Sequence, residues 1–188
     1  MTEPITATDL AQKIVDTARS FDGACACAPY QARMFEAVGM PFDTRPFHVI
    51  DGKVVGMSTC YVFALNVLRL SGVAIHTWHL GEPIGAMVAW AKRNDCWQPA
   101  GEVCPGPGDM LVIGSREGTH VAVVEDCDGS RLRTYDGGQV CRRKGDRHDG
   151  LGRQMVARRE REWCGGSVVG VQRDSVVGWV DCGRVPLI

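Results

Sequence analysis

Apolar residues recur at helical spacing near the start of the chain. Leu10, Ile14, Val15 and Ala18 fall on one stripe between Thr8 and Arg19, which predicts an amphipathic helix. A second short helix is predicted from Pro29 to Val38, with Gly39 as its stop. From Pro41 to Gly56 the pattern breaks into turns and short extended pieces, with Asp51-Gly52 as a turn. A third helix is predicted from Ser58 to Leu70, closed by Ser71-Gly72. Its residues Val62, Phe63, Ala64, Leu65, Val67, Leu68 and Leu70 leave it apolar on nearly every side, so it belongs in the centre of the molecule. A fourth helix is predicted from Pro83 to Arg93, with the proline near its N-terminus.

The second half reads as antiparallel β. The turn cluster Pro105-Gly106-Pro107-Gly108-Asp109 precedes the apolar run Met110-Leu111-Val112-Ile113. A run from Thr119 to Glu125, an Asp128-Gly129 turn and a strand from Arg131 to Tyr135 predict a hairpin. Later strands are predicted at Val168–Val171 and Val176–Val180. The stretch from Cys141 to Arg161 interleaves Arg and Lys with Asp and Glu, which predicts a solvated loop or an extended hairpin. The whole predicts an α+β chain, read as a single domain over residues 1–188, with N-terminal helices and a buried helix packed on an antiparallel β-sheet.

With 188 residues, 45% of them hydrophobic, the chain can bury a core and is not expected to be disordered. A net charge of −1 supplies no field that would draw nucleic acid or an acidic membrane, and no apolar run approaches a membrane span. The polar start MTEPITATDLAQKIVDTARS has no signal-peptide pattern, so the cytoplasm is the expected compartment. Nine cysteines, an odd number, fit free thiols in a reducing compartment better than a disulfide scaffold. Neither Cys25-Ala-Cys27 nor the Cys96/Cys104 spacing gives the paired ligands of structural zinc. No metal or cofactor is expected.

Cys60 stands apart from the other cysteines. It lies two residues after Ser58, a good N-cap, in the first turn of the buried helix. Unpaired N–H groups there carry partial positive charge and favour a thiolate. Such a nucleophile needs a base, and His120 leads the strand His120-Val121-Ala122-Val123-Val124. A third group would orient the imidazole. If the hairpin loop spans Asp126 to Ser130, His120 lies directly opposite Asp136 and shares its face. A loop with an even number of residues flips Asp136 away and brings Tyr135 or Gln139 in its place. Asp136 is preferred because a carboxylate orients imidazole best, although Asp136-Gly137-Gly138 is also turn chemistry.

The order of these motifs resembles a known family. Ser58-Thr59-Cys60, then Pro107-Gly108-Asp109-Met110-Leu111-Val112-Ile113, then Thr119-His120-Val121-Ala122-Val123-Val124, then Thr134-Tyr135-Asp136-Gly137-Gly138-Gln139 resemble the CHAP-type and NlpC-type cysteine amidases and peptidases of the papain-like superfamily. The resemblance covers about residues 50 to 140. It implies a papain-like α+β fold and metal-free thiol hydrolysis of amide bonds in peptidoglycan, with Cys60 as nucleophile, His120 as base and Asp136 as orienting group. Two positions depart from the family pattern: Tyr61-Val62-Phe63 replaces its small or Gly-rich segment after the nucleophile, and aspartate is not among its commonest third residues.

Substrate or oxyanion contacts are open among Tyr30, Ser58, Tyr61, Trp78 and Gln139. The alternative class is a non-catalytic papain-like binding module for a cell-wall or anionic polymer, with Trp78, Trp90 and Trp97 in its cleft and the basic stretch Arg142 to Arg159 as its face. A cysteine-rich metal-binding protein is a further reading. Peptidoglycan or a peptide is the expected partner, with no nucleic acid and no membrane. Action on the wall points to delivery by a phage or secretion apparatus or to an accessory signal outside this chain, and an intracellular peptide substrate stays open; an immunity partner is left unspecified.

Overall fold

The fold comes from a computed structural model that describes residues 6–24, 47–50, 53–56, 59–73, 84–115, 118–140, 153–169 and 173–185. Helix α1 (Ala7–Arg19) opens with a capping box in which Thr6 and Asp9 satisfy each other's backbone donors. It buries the predicted stripe Leu10, Ile14, Val15 and Ala18. The predicted helix Pro29–Val38 lies outside the described residues. Strands β1 (Phe47–Ile50) and β2 (Lys53–Gly56) pair antiparallel as a hairpin of their own, with Ile50 opposite Lys53 across the Asp51-Gly52 position.

Helix α2 (Thr59–Leu70) is the expected central helix. Cys60, Phe63, Ala64, Leu65, Val67 and Leu68 are all at most 1% exposed, and the helix packs across the strands Gly118–Cys127, Arg131–Val140 and Arg153–Trp163. Helix α3 (Ile84–Arg93) buries Met87, Trp90 and Ala91. Trp90 is thus a core residue, and Trp97 lies half-buried under the Lys92 ammonium, 5.8 Å from its ring centre. Trp78 lies outside the described residues. Among the described residues, no helix is long and apolar enough to cross a membrane.

The remaining strands are β3 (Trp97–Pro99), β4 (Met110–Ser115), β5 (Gly118–Cys127), β6 (Arg131–Val140), β7 (Arg153–Trp163), β8 (Ser167–Val169) and β9 (Arg173–Val180). They form one antiparallel sheet in the order β3-β9-β4-β5-β6-β7-β8, and β8 pairs back onto β9. Strands β4 to β9 therefore close a ring. One face of the ladder, with Val112, Val121, Val123, Tyr135 and Val156, packs on the helices. The other carries Leu111, Ile113, Val124, Leu132, Trp163 and Trp179 as a second core. The architecture is α+β, as expected. Of the two readings for 141–161, the extended hairpin holds for β7: it pairs with β6 from Arg131↔Glu162 to Val140↔Arg153. Residues 141–152 lie outside the description. In the described part of the basic stretch, Arg158 is ion-paired with Glu125 and Arg159 donates to Gln139.

Two glycines hold the frame. Gly108 has φ +84, and a Cβ there would lie 3.0 Å from the Ala11 backbone. The Pro107-Gly108-Asp109 turn thus fits tightly under α1. Gly178 has φ +151, and its Cβ would lie 2.4 Å from the Gln98 carbonyl oxygen and 2.4 Å from the Trp97 ring. Backbone cannot yield cheaply, so Gly178→Ala is expected to destabilise the fold by ~3 kcal/mol through overpacking and strain. A denaturant midpoint equal to wild type would contradict this close β3–β9 approach.

Asp109 joins the same turn to the chain's last described segment. Its carboxylate accepts from Gly106 N at 2.8 Å and from Cys182 N at 3.1 Å. Burial pushes it up to about 7 against those two donors, with Asp181 adding to the rise. A carboxyl that holds its proton more tightly when folded loses stability as pH rises from about 4 to 7 and is level above. Asp109→Asn is expected to flatten that slope in denaturation midpoints compared at about pH 5 and about pH 8. An unchanged slope would assign the pH dependence elsewhere.

Candidate active site

Cys60 is the second residue of α2. The first N–H groups of a helix have no partner within it and bear its positive pole, while the buried turns behind fix the sulfur's position. His120 is the third residue of β5, ahead of Val121, Ala122, Val123 and Val124, all fully buried. Its side chain remains 23% exposed, so it sits where the strand emerges from the core. The Cys60 sulfur and the His120 ring are within hydrogen-bonding reach of each other. His120 Nε2 lies 2.8 Å from Asp136 Oδ2. With Nε2 taken by the carboxylate, Nδ1 is the ring nitrogen left for the sulfur.

The route by which Asp136 arrives differs from expectation. Asp136 pairs opposite Ala122, not His120, and reaches the imidazole diagonally. The hairpin runs Cys127↔Leu132, with the Asp128 carboxylate accepting from Ser130 N and Arg131 N inside the turn. Residues 128–131 are an even number, the case in which Asp136 flips to the other face. A bulge between Val124 and Asp126 makes Glu125 the extra residue and flips it back. Glu125 is pinned in place, accepting from Arg158 Nε at 2.6 Å and Tyr135 OH at 3.0 Å. Asp136-Gly137-Gly138 is not a turn; β6 continues through it with shifted register to Val140.

Asp136 is 0% exposed, so its charge needs partners. Thr134 Oγ1 donates to Oδ1 at 2.5 Å, Arg161 Nη1 donates to Oδ1 at 3.2 Å, and Arg161 Nη2 donates to Oδ2. Arg161 also donates to Thr134 Oγ1. Burial alone would push Asp136 up; Arg161 and His120 outweigh it and hold the carboxyl well below the usual carboxylate range. For His120, burial opposes the imidazolium, but the hydrogen bonds to Asp136 and Cys60 push it up to about 10. The interaction is mutual: what favours the imidazolium beside a sulfur favours the thiolate beside an imidazole.

The other residues singled out from the sequence fall away from this cluster or outside the description. Tyr30, Ser58 and Trp78 lie outside the described residues. Tyr61 is buried in the α2 core at 3% exposure. Gln139 is half-buried, accepting from Arg159 Nη2 at 2.6 Å and donating to the Gly137 carbonyl. Tyr135 sits on the helix-facing side of the sheet. Arg161 and Thr134 were not anticipated. A signal existed: Arg161 shares strand parity with Trp163, which is buried in the second core, and a buried aspartate demands a cation. Among the described residues, no group of three or more His, Cys, Asp or Glu side chains converges as a metal site would. No protein-family model matches the chain, and no curated protein matches it.

Proposed function

We propose that the protein is a thiol-dependent amide hydrolase with a papain-like fold, acting on peptidoglycan peptides as an amidase or endopeptidase. The observation that carries the reading is the contact chain sulfur–imidazole–carboxylate, Cys60 to His120 to Asp136. A buried thiol serving only as packing has no need of an imidazole braced by a fully buried carboxylate. The peptidoglycan substrate rests on the motif order resembling CHAP-type and NlpC-type hydrolases.

In this mechanism Cys60 attacks the amide carbonyl as thiolate, its proton resting on His120. The oxyanion forms against the positive end of α2, where the Cys60 N–H is a donor. The His120 imidazolium protonates the leaving amine, and water deprotonated by the same ring then releases the acyl-enzyme. Asp136, locked by Arg161 and Thr134, holds the ring in one orientation throughout.

The test is digestion of purified peptidoglycan by the full chain, followed by mass spectrometry. Expected are new free amines and an acyl adduct on Cys60, both missing in Cys60→Ala. Binding without any turnover by wild type would favour the non-catalytic module instead.

A further inference from the structure

We propose that Cys104 and Cys127 are a modification site, a dithiol that a low-molecular-weight disulfide such as oxidised glutathione converts to an intramolecular disulfide. This inference stands apart from the hydrolase reading and uses none of its residues. The two side chains pack against the same second core, within hydrogen-bonding reach of each other. The backbone brings them together. Gly108 N donates to the Val124 carbonyl at 2.9 Å, and Val124 N donates to the Asp109 carbonyl at 2.9 Å. The turn that follows Cys104 is therefore fastened to β5 at Val124, three residues before the strand ends at Cys127.

The pair is reachable. Both residues are partly exposed, whereas Cys96 and Cys182 are sealed in the core at 0% and 1%. Cys104 lines an open groove of about 690 Å³ with Gln98, Val103, Pro107, Asp109 and Trp179. A small disulfide can approach it there. Burial and the Cys104 contact push the Cys127 thiol up to about 12, which suits Cys104 as the attacking group and Cys127 as the resolving one.

The exchange balances. The Cys104 thiolate attacks one sulfur of the reagent, forming a mixed disulfide and expelling one thiolate. Cys127, giving its proton to the released thiolate, then attacks the Cys104 sulfur. The Cys104–Cys127 bond forms and a second thiolate leaves. The two protons pass to the two released thiols. The protein loses two electrons, and the reagent gains them. The cross-link ties the Pro105–Asp109 turn to the end of β5 and shortens the unfolded chain's freedom across the intervening loop.

The experiment uses the full chain carrying Cys60→Ser, so that the candidate nucleophile takes no part. After incubation with excess oxidised glutathione, peptide mapping is expected to find a Cys104–Cys127 cross-linked peptide. Tm is expected to rise by several degrees, and a reducing agent should reverse it. Cys104→Ser and Cys127→Ser should each abolish both effects. Thiols that remain free or carry glutathione separately, with no cross-linked peptide, would overturn the proposal. A cross-link that leaves Tm unchanged would overturn the clamp.

Discussion

Replacing Arg161 with methionine is expected to cost about 3–5 kcal/mol of stability, because it strands a charge that is already out of water. Asp136 is fully buried, and Arg161 contacts both of its oxygens while also donating to Thr134. Methionine keeps much of the volume and removes every donor. The remaining partners, Thr134 and His120, cannot replace a two-pronged cation. Acid should narrow the difference. Asp136 is held below the usual carboxylate range, so its ionised form stabilises wild type above about pH 4, and that contribution is lost as pH falls through the folded value. A protonated Asp136 no longer needs the guanidinium. Arg161→Lys should recover only part of the loss, since an ammonium cannot present the same fork. Denaturation midpoints across pH measure all three. A methionine variant as stable as wild type, with the same acid profile, would remove Arg161 from the account.

The second large effect falls on chemistry. His120→Ala is expected to lower kcat/KM for amide cleavage by roughly 10³–10⁴-fold. Combining it with Cys60→Ala should add little, because the two act as one unit. Folding should survive, since Asp136 keeps Arg161 and Thr134. The wild-type stability profile carries the sign of the pair. His120 is raised to about 10, so its contribution is complete below about pH 6.5 and fades as pH climbs toward the folded value. The alanine variant should lack that alkaline fade. A loss of activity under tenfold would mean that another group takes the proton.

Much of this arrangement could be read from the sequence, because it rests on periodicity. The α1 stripe, the all-round apolar α2 and the β-branched run after His120 each have one physical reading, and each lies near its predicted place. The identity of Asp136 was legible as well, but its register was not. That register depends on Glu125 acting as a bulge. A bulge leaves no mark in hydrophobic alternation when its extra residue is polar and follows a fully buried run. What fixes it is long-range: the Arg158 and Tyr135 contacts come from other strands. Arg161 was hidden for a related reason. It lies in a stretch dense with both charges, where an exposed arginine and a buried one look alike. Only the β5-β6-β7 ladder puts it beside a carboxylate. The three-residue β3 is not legible in the sequence, because Trp97-Gln98-Pro99 is too short to show a period.

Under the proposed mechanism the Cys60 sulfur gives its proton to His120 at rest. Ultraviolet thiolate absorbance at neutral pH, taken as wild type minus Cys60→Ala, reads it directly. One thiolate equivalent in that difference, gone when His120→Ala is the parent, is the result this account requires. A difference that stays at zero until pH approaches the ordinary thiol range of about 8.5 would contradict it.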